Sequence, residues 1–229
     1  MTKFTQRMGK SKTDFRSILR KTWYFIWEDD SWLSWIVNII LAFIIIKFLV
    51  YPGLGWLFGT SYPIVAVVSE SMEHSADRGM LCGQRVTDYR NNLDNYWKVC
   101  GKWYEDINIS RNKFSTWSFS SGFNKGDLIV LIGRKPQNIE QGDVIVYAAQ
   151  RPDIKRDPII HRVVKIWEKD NSYYFQTKGD NNPQVINDTV IGEAEIREDR
   201  ILGTAVFRIP LLGYVKIIFV EVLKLLMVW

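Results

Sequence analysis

Apolar and polar positions alternate in three distinct ways along this chain, and each predicts a different kind of element. Residues 31–50 read SWLSWIVNIILAFIIIKFLV, an apolar run of twenty residues in which Asn38 and Lys47 are the only strongly polar interruptions. A helix rising ~1.5 Å per residue needs about that length to cross a hydrocarbon core of ~30 Å. Residues 31–51 are therefore expected to form a transmembrane helix, with Lys47 near one end able to extend its ammonium towards the headgroups. Trp23, Trp27, Trp32 and Trp35 on one flank and Tyr51, Trp56 and Phe58 on the other match interfacial aromatic belts. A cleaved secretory signal would have a shorter apolar core, about 7 to 15 residues, ending at small residues. Here Tyr51-Pro52-Gly53-Leu54-Gly55-Trp56 follows, so a retained anchor is expected.

The second pattern fills residues 61–213. Short apolar or alternating runs recur at 64–68, 128–132, 144–148, 159–166, 173–177 and 201–207, punctuated by Gly, Asn, Asp and Pro. That is the signature of antiparallel strands, and no long amphipathic helix is expected among them. The echoing segments Lys125-Gly126-Asp127 and Gln141-Gly142-Asp143 each turn directly into an apolar strand, so Asp127 and Asp143 read as turn formers. Residues 80–123, rich in Asn, Ser, Tyr, Trp, Lys and Asp, read as an insert on the exposed face. The third pattern is the C-terminal apolar stretch of 214–229, interrupted by Lys216, Glu221 and Lys224. A charge at mid-bilayer costs roughly 2.5 to 3.5 kcal/mol on the insertion scale. A second membrane helix is expected there, with an interfacial helix as the rival. The whole is a mainly β, membrane-anchored antiparallel domain.

Charge refines the topology. The net charge is +5, and residues 1–30 carry Lys3, Arg7, Lys10, Lys12, Arg16, Arg20 and Lys21 against Asp14, Glu28, Asp29 and Asp30. Such a basic arm also suits nucleic acid, but the apolar run behind it points to membrane lipids, and no nucleic-acid partner is expected. By the positive-inside rule the arm is cytoplasmic and the β-rich part lies on the extracytoplasmic face. Cys82 and Cys100 are the only cysteines, each beside a glycine in a polar stretch. They read equally as one disulfide on an oxidising face or as two free thiols. Two distant histidines and two unclustered cysteines do not make a zinc site, so neither a metal nor a cofactor is expected.

One of the two histidines, His161, sits in the strand-like run Pro158-Ile159-Ile160-His161-Arg162-Val163-Val164. Upstream is Ser69-Glu70-Ser71-Met72, and downstream is Lys178-Gly179-Asp180-Asn181-Asn182. Taken singly, each has a plain structural explanation: a core histidine, a commonplace Ser-x-Ser, an aspartate in a turn. Together they offer a nucleophile, a base to take its proton and a carboxylate to orient the base. Ser69 and Ser71, two apart in extended structure, share a face, so one hydroxyl can assist while the other attacks.

These boxes, with Gly142-Asp143-Val144-Ile145-Val146-Tyr147 and Asn187-Asp188-Thr189, occur in an order that resembles the type I signal peptidase family. The likeness is to its archaeal and endoplasmic-reticulum branch, and covers residues 61–215 apart from the insert. It implies a membrane-bound serine endopeptidase that cleaves N-terminal signal peptides from exported preproteins. On that likeness Ser71 is the nucleophile, His161 the general base and Asp180 the orienting carboxylate, with Asp188 a second required aspartate that competes for the same role. Ser69 would assist an oxyanion hole whose main donor is the Ser71 backbone N–H. Val67, Met72 and Ile160 would line shallow pockets for small substrate side chains. The location implied is the cell membrane, or the endoplasmic-reticulum membrane with a lumenal active site, acting alone or in a complex with other membrane subunits. The sequence departs from the family at His74, where proline is common, which makes His74 a rival base. Two other readings are a cytosolic Ser-Lys self-cleaving repressor-type peptidase and a non-catalytic membrane-anchored β domain. The anchor and His161 speak against the first, and the retained serine, histidine and aspartates against the second.

Overall fold

The computed structural model describes residues 15–76, 79–151, 157–215, 217–218 and 221, and the chain divides into units Met1–Gly53 and Leu54–Trp229. In the first unit, the basic arm contains a helix, α1 (Phe15–Trp27), while residues 1–14 lie outside those described. The second helix, α2 (Trp32–Ile45), starts where the Ser31 side chain accepts the Ser34 N–H at 3.2 Å, relieving one of the unpaired donors of a helix start. Asn38, the odd polar residue of the apolar run, donates to the Ile26 carbonyl at 2.9 Å, and Ser34 Oγ donates to that of Phe25 at 2.6 Å. Polar side chains in an apolar helix thus fasten the end of α1.

The apolar helix is longer than expected. A π-helical turn, Ile46–Val50, carries α2 into α3 (Tyr51–Phe58), so one helix of 27 residues runs from Trp32 to Phe58. Pro52 has no N–H to donate, and the wider turn just before it relaxes the clash its ring would cause. Lys47 is accordingly interior to the helix rather than near its end, its ammonium 5.7 and 5.4 Å from the rings of Phe43 and Phe48.

In the second unit a seven-stranded antiparallel sheet has the order β1-β4-β9-β5-β6-β7-β8. Its members are β1 (Ile64–Ala66), β4 (Leu128–Ile132), β5 (Val144–Tyr147), β6 (Ile159–Lys169), β7 (Ser172–Lys178), β8 (Ile196–Arg197) and β9 (Ile201–Ile209). All four residues of β5 are buried because the strand is covered on both faces. Val144 and Val146 point into a core with Val67, Met72, Phe123, Ile129, Leu131 and Ile160. Ile145 and Tyr147 point into another with Val163, Phe175 and Ile196. Period-2 alternation alone sorts these neighbours to opposite sides, and burial of each such side chain stabilises by about 1.5 to 3 kcal/mol. The turn reading of the two aspartates agrees with their bonds. Asp127 accepts the Asn124 N–H at 2.8 Å, and Asp143 accepts that of Glu140 at 2.9 Å.

The insert is an ordered subdomain, and the expectation that it lacks an amphipathic helix is corrected. It holds the hairpin β2 (Met80–Leu81) and β3 (Gln84–Arg85), then α4 (Leu93–Glu105) and α5 (Arg111–Ser115). The buried face of α4 is Tyr96, Trp97, Cys100, Gly101 and Tyr104, spaced three and four apart as a helix stripe requires. Its apolar character resides in aromatics and a cysteine among charged residues, which disguises the period. Cys82 lies in the β2–β3 turn and Cys100 inside α4, both buried, and they form a disulfide. Closing a loop of this size should contribute about 3 kcal/mol through the unfolded state. Replacing both cysteines by serine is therefore expected to lower the unfolding free energy by about that amount, as read by thermal denaturation in detergent. An unchanged melting temperature would contradict it. The described part of 214–229 begins as a helix, but most of that stretch lies outside the described residues.

Candidate active site

The run from Ser69 to Met72 leaves β1 as a tight bend, because Val67 plugs the core and Met72 plugs it again. Between the two plugs the chain must bulge, which presents Ser71 half-buried at the surface of the core. The bend is held from across the fold, since the Asn181 N–H donates to the Ser71 carbonyl at 2.7 Å and its side chain to the Glu70 carbonyl at 3.2 Å. The Gly-Asp-Asn-Asn turn is thus the support beneath the serine.

His161 enters from β6, opposite Ile145 of β5, and is 4% exposed. Its Nε2 is 3.0 Å from Ser71 Oγ, and Ser69 Oγ is 3.1 Å from Ser71 Oγ. The structure therefore brings together Ser69, Ser71 and His161. Close approach is possible because residue 179 is glycine: a Cβ there would stand 2.8 Å from His161 Nε2 and 2.6 Å from the Asn182 amide nitrogen.

Neither predicted aspartate reaches the imidazole. Asp180 is fully buried on the other side of β6, where its carboxylate accepts Arg162 Nε at 2.9 Å and Arg162 Nη2 at 2.7 Å. It also takes Tyr104 Oη at 3.1 Å and faces His74 Nε2 at 2.9 Å. Strand alternation is the reason: Arg162 and His161 are neighbours, so their side chains leave opposite faces, and the acid that serves one cannot serve the other. Burial would raise the Asp180 carboxyl, but the Arg162 guanidinium and the bonds from His74 and Arg162 outweigh it and hold the group well below the ordinary carboxylate range. Asp188 is exposed and occupied locally, its Oδ1 accepting the N–H groups of Val190 at 3.0 Å and Ile191 at 2.5 Å. It closes an Asx-type turn.

The carboxylate that does reach His161 is Glu193, which the sequence reading missed. Its Oε1 lies 2.6 Å from His161 Nδ1, and the side chain has no exposed surface. The Gly179 N–H donates to Oε1 at 3.1 Å, the Ile186 N–H to Oε2 at 2.5 Å, and the Glu193 carbonyl accepts the Thr177 N–H at 3.0 Å. Tyr147 Oη stands 3.5 Å from the same imidazole nitrogen. Glu193 belongs to Gly192-Glu193-Ala194-Glu195, which has no composition or spacing that separates it from a surface turn. Only the pairing of Thr177 with residue 193 reveals it.

His74, the rival base, is buried and stacked on Tyr96 with ring centroids 3.6 Å apart, facing Asp180 rather than the serine. Burial lowers its affinity for a proton, opposed by the Asp180 carboxylate. Of the three predicted pocket residues, Ile160 alone lines the groove at the serine, a space of about 330 Å³ also bounded by Ala66, Val68, Ile186 and Ile191. Val67 and Met72 are corrected to core positions. The exposed neighbour Val68 takes the groove position because alternate residues of an extended segment face opposite sides.

A serine hydroxyl against an imidazole that is itself backed by a carboxylate is a constellation for nucleophilic attack on a carbonyl. No protein-family model matches the chain. It is similar to the signal peptidase complex catalytic subunit Sec11 of Schizosaccharomyces pombe, 32% identical over 189 residues that cover 81% of this chain and 81% of that protein. The human subunit SEC11C is 35% identical over 105 residues, 44% of this chain and 52% of that protein. The Fusarium vanettenii subunit SEC11 is 35% identical over 108 residues, 45% of this chain and 60% of that protein.

Proposed function

This chain belongs to the family of signal peptidase complex catalytic subunits, membrane-anchored serine endopeptidases that cleave signal peptides from preproteins, and we propose that Ser71 and His161 carry out that cleavage. The observation that supports these roles is the 3.0 Å approach of His161 Nε2 to Ser71 Oγ. In the reaction His161 takes the hydroxyl proton as Ser71 Oγ adds to the scissile carbonyl carbon. The tetrahedral intermediate collapses as His161 returns that proton to the leaving amine, releasing the mature N-terminus and leaving an ester on Ser71. A water molecule, deprotonated by the same imidazole, then hydrolyses the ester and frees the signal peptide. Ser69 Oγ donates towards the developing oxyanion beside the Ser71 backbone N–H. The groove walls, Ala66, Val68 and Ile160 among them, favour small side chains on the substrate.

The active site works on the side of the membrane away from the basic N-terminus. The Cys82–Cys100 disulfide supports this placement, since such bonds persist in oxidising compartments. Other subunits share the complex, since the relatives are named catalytic subunits of a signal peptidase complex. The full chain in detergent, incubated with a secretory preprotein, should release a peptide ending in a small residue, and Ser71→Ala should abolish that release. Cleavage that survives in Ser71→Ala would refute the proposed nucleophile.

A further inference from the structure

We propose that Glu193 is the positioning residue that fixes the tautomer of His161, the role the resemblance had given to an aspartate. The inference rests on the Ser71 and His161 reading above and deepens it. A neutral imidazole has one donor nitrogen and one acceptor nitrogen. For His161 to accept the serine proton at Nε2, its own proton must sit on Nδ1, and something must hold it there. The atom 2.6 Å from Nδ1 is Glu193 Oε1.

Three observations make this carboxylate a built support. It is wholly buried and enclosed by protein, so an acceptor at that spot is not shared with bulk water. Two backbone N–H groups, from Gly179 and Ile186, fill one acceptor site on each oxygen, which fixes the plane of the carboxylate and leaves Oε1 aimed at the ring. The strand-like pairing of Thr177 with the Glu193 carbonyl anchors the backbone from which it projects. When His161 becomes an imidazolium during attack, Glu193 is the negative charge that stabilises it at short range. The same Gly179 that leaves room for the imidazole supplies an N–H to its carboxylate, so one residue sets both distances.

The alternatives are accounted for elsewhere in the fold. Asp180 is committed to Arg162 across β6. Asp188 spends its Oδ1 on the N–H groups of its own turn. Its turn lies within the loop that returns the chain to Glu193, where the Gly192 N–H donates to the Asp188 carbonyl at 3.1 Å.

The test uses the full chain in detergent with a preprotein substrate. Glu193→Gln places an amide against Nδ1, which can donate there and drive the proton to Nε2. It is expected to lower kcat by about 10⁴-fold, as the equivalent carboxylate-to-amide change does in a serine protease triad, while KM changes little. Glu193→Asp keeps the charge and should recover part of that loss. Because the chain has only two histidines, ¹⁵N-histidine spectra report the tautomer directly, His161 being assigned by the signal lost in His161→Ala. Wild type should carry the proton on Nδ1, and Glu193→Gln on Nε2. A wild-type proton on Nε2, or full kcat in Glu193→Gln, overturns the proposal, as does a tautomer switch in Asp188→Asn with none in Glu193→Gln. If Glu193→Gln does not fold, the wild-type tautomer and the activity of Glu193→Asp decide. Cleavage persisting in Ser71→Ala would instead overturn the nucleophile and leave the Glu193 contact to the spectra alone. Loss in Ser71→Ala with full activity in Glu193→Gln would reject Glu193 only.

Discussion

Replacing His161 with alanine is expected to reduce kcat by about 10⁵- to 10⁶-fold, the scale on which a serine protease responds to losing its base. The same truncation at His74 should leave the chemical step largely in place and act on stability. The contrast follows from which atom each imidazole meets. His161 Nε2 faces Ser71 Oγ at 3.0 Å, whereas His74 Nε2 faces Asp180 at 2.9 Å and its ring lies against Tyr96. Truncating His161 removes the imidazole positioned to take the hydroxyl proton, so Ser71 is left unactivated and the loss falls mainly on kcat. Truncating His74 opens a cavity under an aromatic stack and removes one partner of a buried carboxylate, which destabilises by a few kcal/mol. Measuring kcat, KM and the melting temperature for both variants separates the two effects. A His161→Ala enzyme with near-normal kcat, or a His74→Ala enzyme that is folded yet inactive, would reverse the assignment of the base.

The strands were legible because each is a short apolar run between turn residues, and the two hydroxyls and the histidine were legible because a chemical step needs those types. The acid was not. Asp180 and Glu193 carry the same functional group, and whether either meets His161 depends on the face from which it approaches β6. Alternation places Arg162 opposite His161, so an acid near Arg162 is excluded from the imidazole. That conclusion requires the register of β6 on β7, where Arg162 pairs with Lys178, and the register is a product of long-range pairing. The same limit explains Val67: periodicity says it differs in face from Ala66 and Val68, but only the assembled sheet says which face is core. The helix α4 was hidden for a different reason, since its buried stripe is written in Tyr, Trp and Cys, residues that a search for aliphatic periodicity passes over.

The second large effect belongs to Asp180, and it is one of stability. Arg162 is fully buried, with Nη1 donating to the carbonyls of Ser118 and Gly142 at 2.8 and 2.9 Å and Nη2 to that of Phe119 at 2.8 Å. Its charge is neutralised by Asp180. Tyr96 Oη donates to the Asp180 carbonyl at 2.8 Å and Tyr104 Oη to its carboxylate, so two residues of α4 are fastened to the same point. The next residue, Asn181, holds the serine bend. Asp180→Asn would keep the shape and strand the guanidinium without a counter-charge, a change that costs about 3 to 5 kcal/mol in a buried pair. That is a large share of the margin of an ordinary domain, about 5 to 15 kcal/mol, and activity would fall through unfolding of the insert and the serine bend. The acid response gives the sign. Because the folded protein holds the Asp180 carboxyl below its ordinary value, the folded state releases this proton more readily than the unfolded chain. The stabilisation is therefore complete above the unfolded value, about pH 4, and is lost as pH falls from there towards the folded value. Wild type should lose stability through that window, and Asp180→Asn, having no such group, should start lower and respond less. Denaturant unfolding followed between neutral pH and pH 3 measures both quantities, and parallel acid responses in the two proteins would show that the Arg162 pair does not hold the fold.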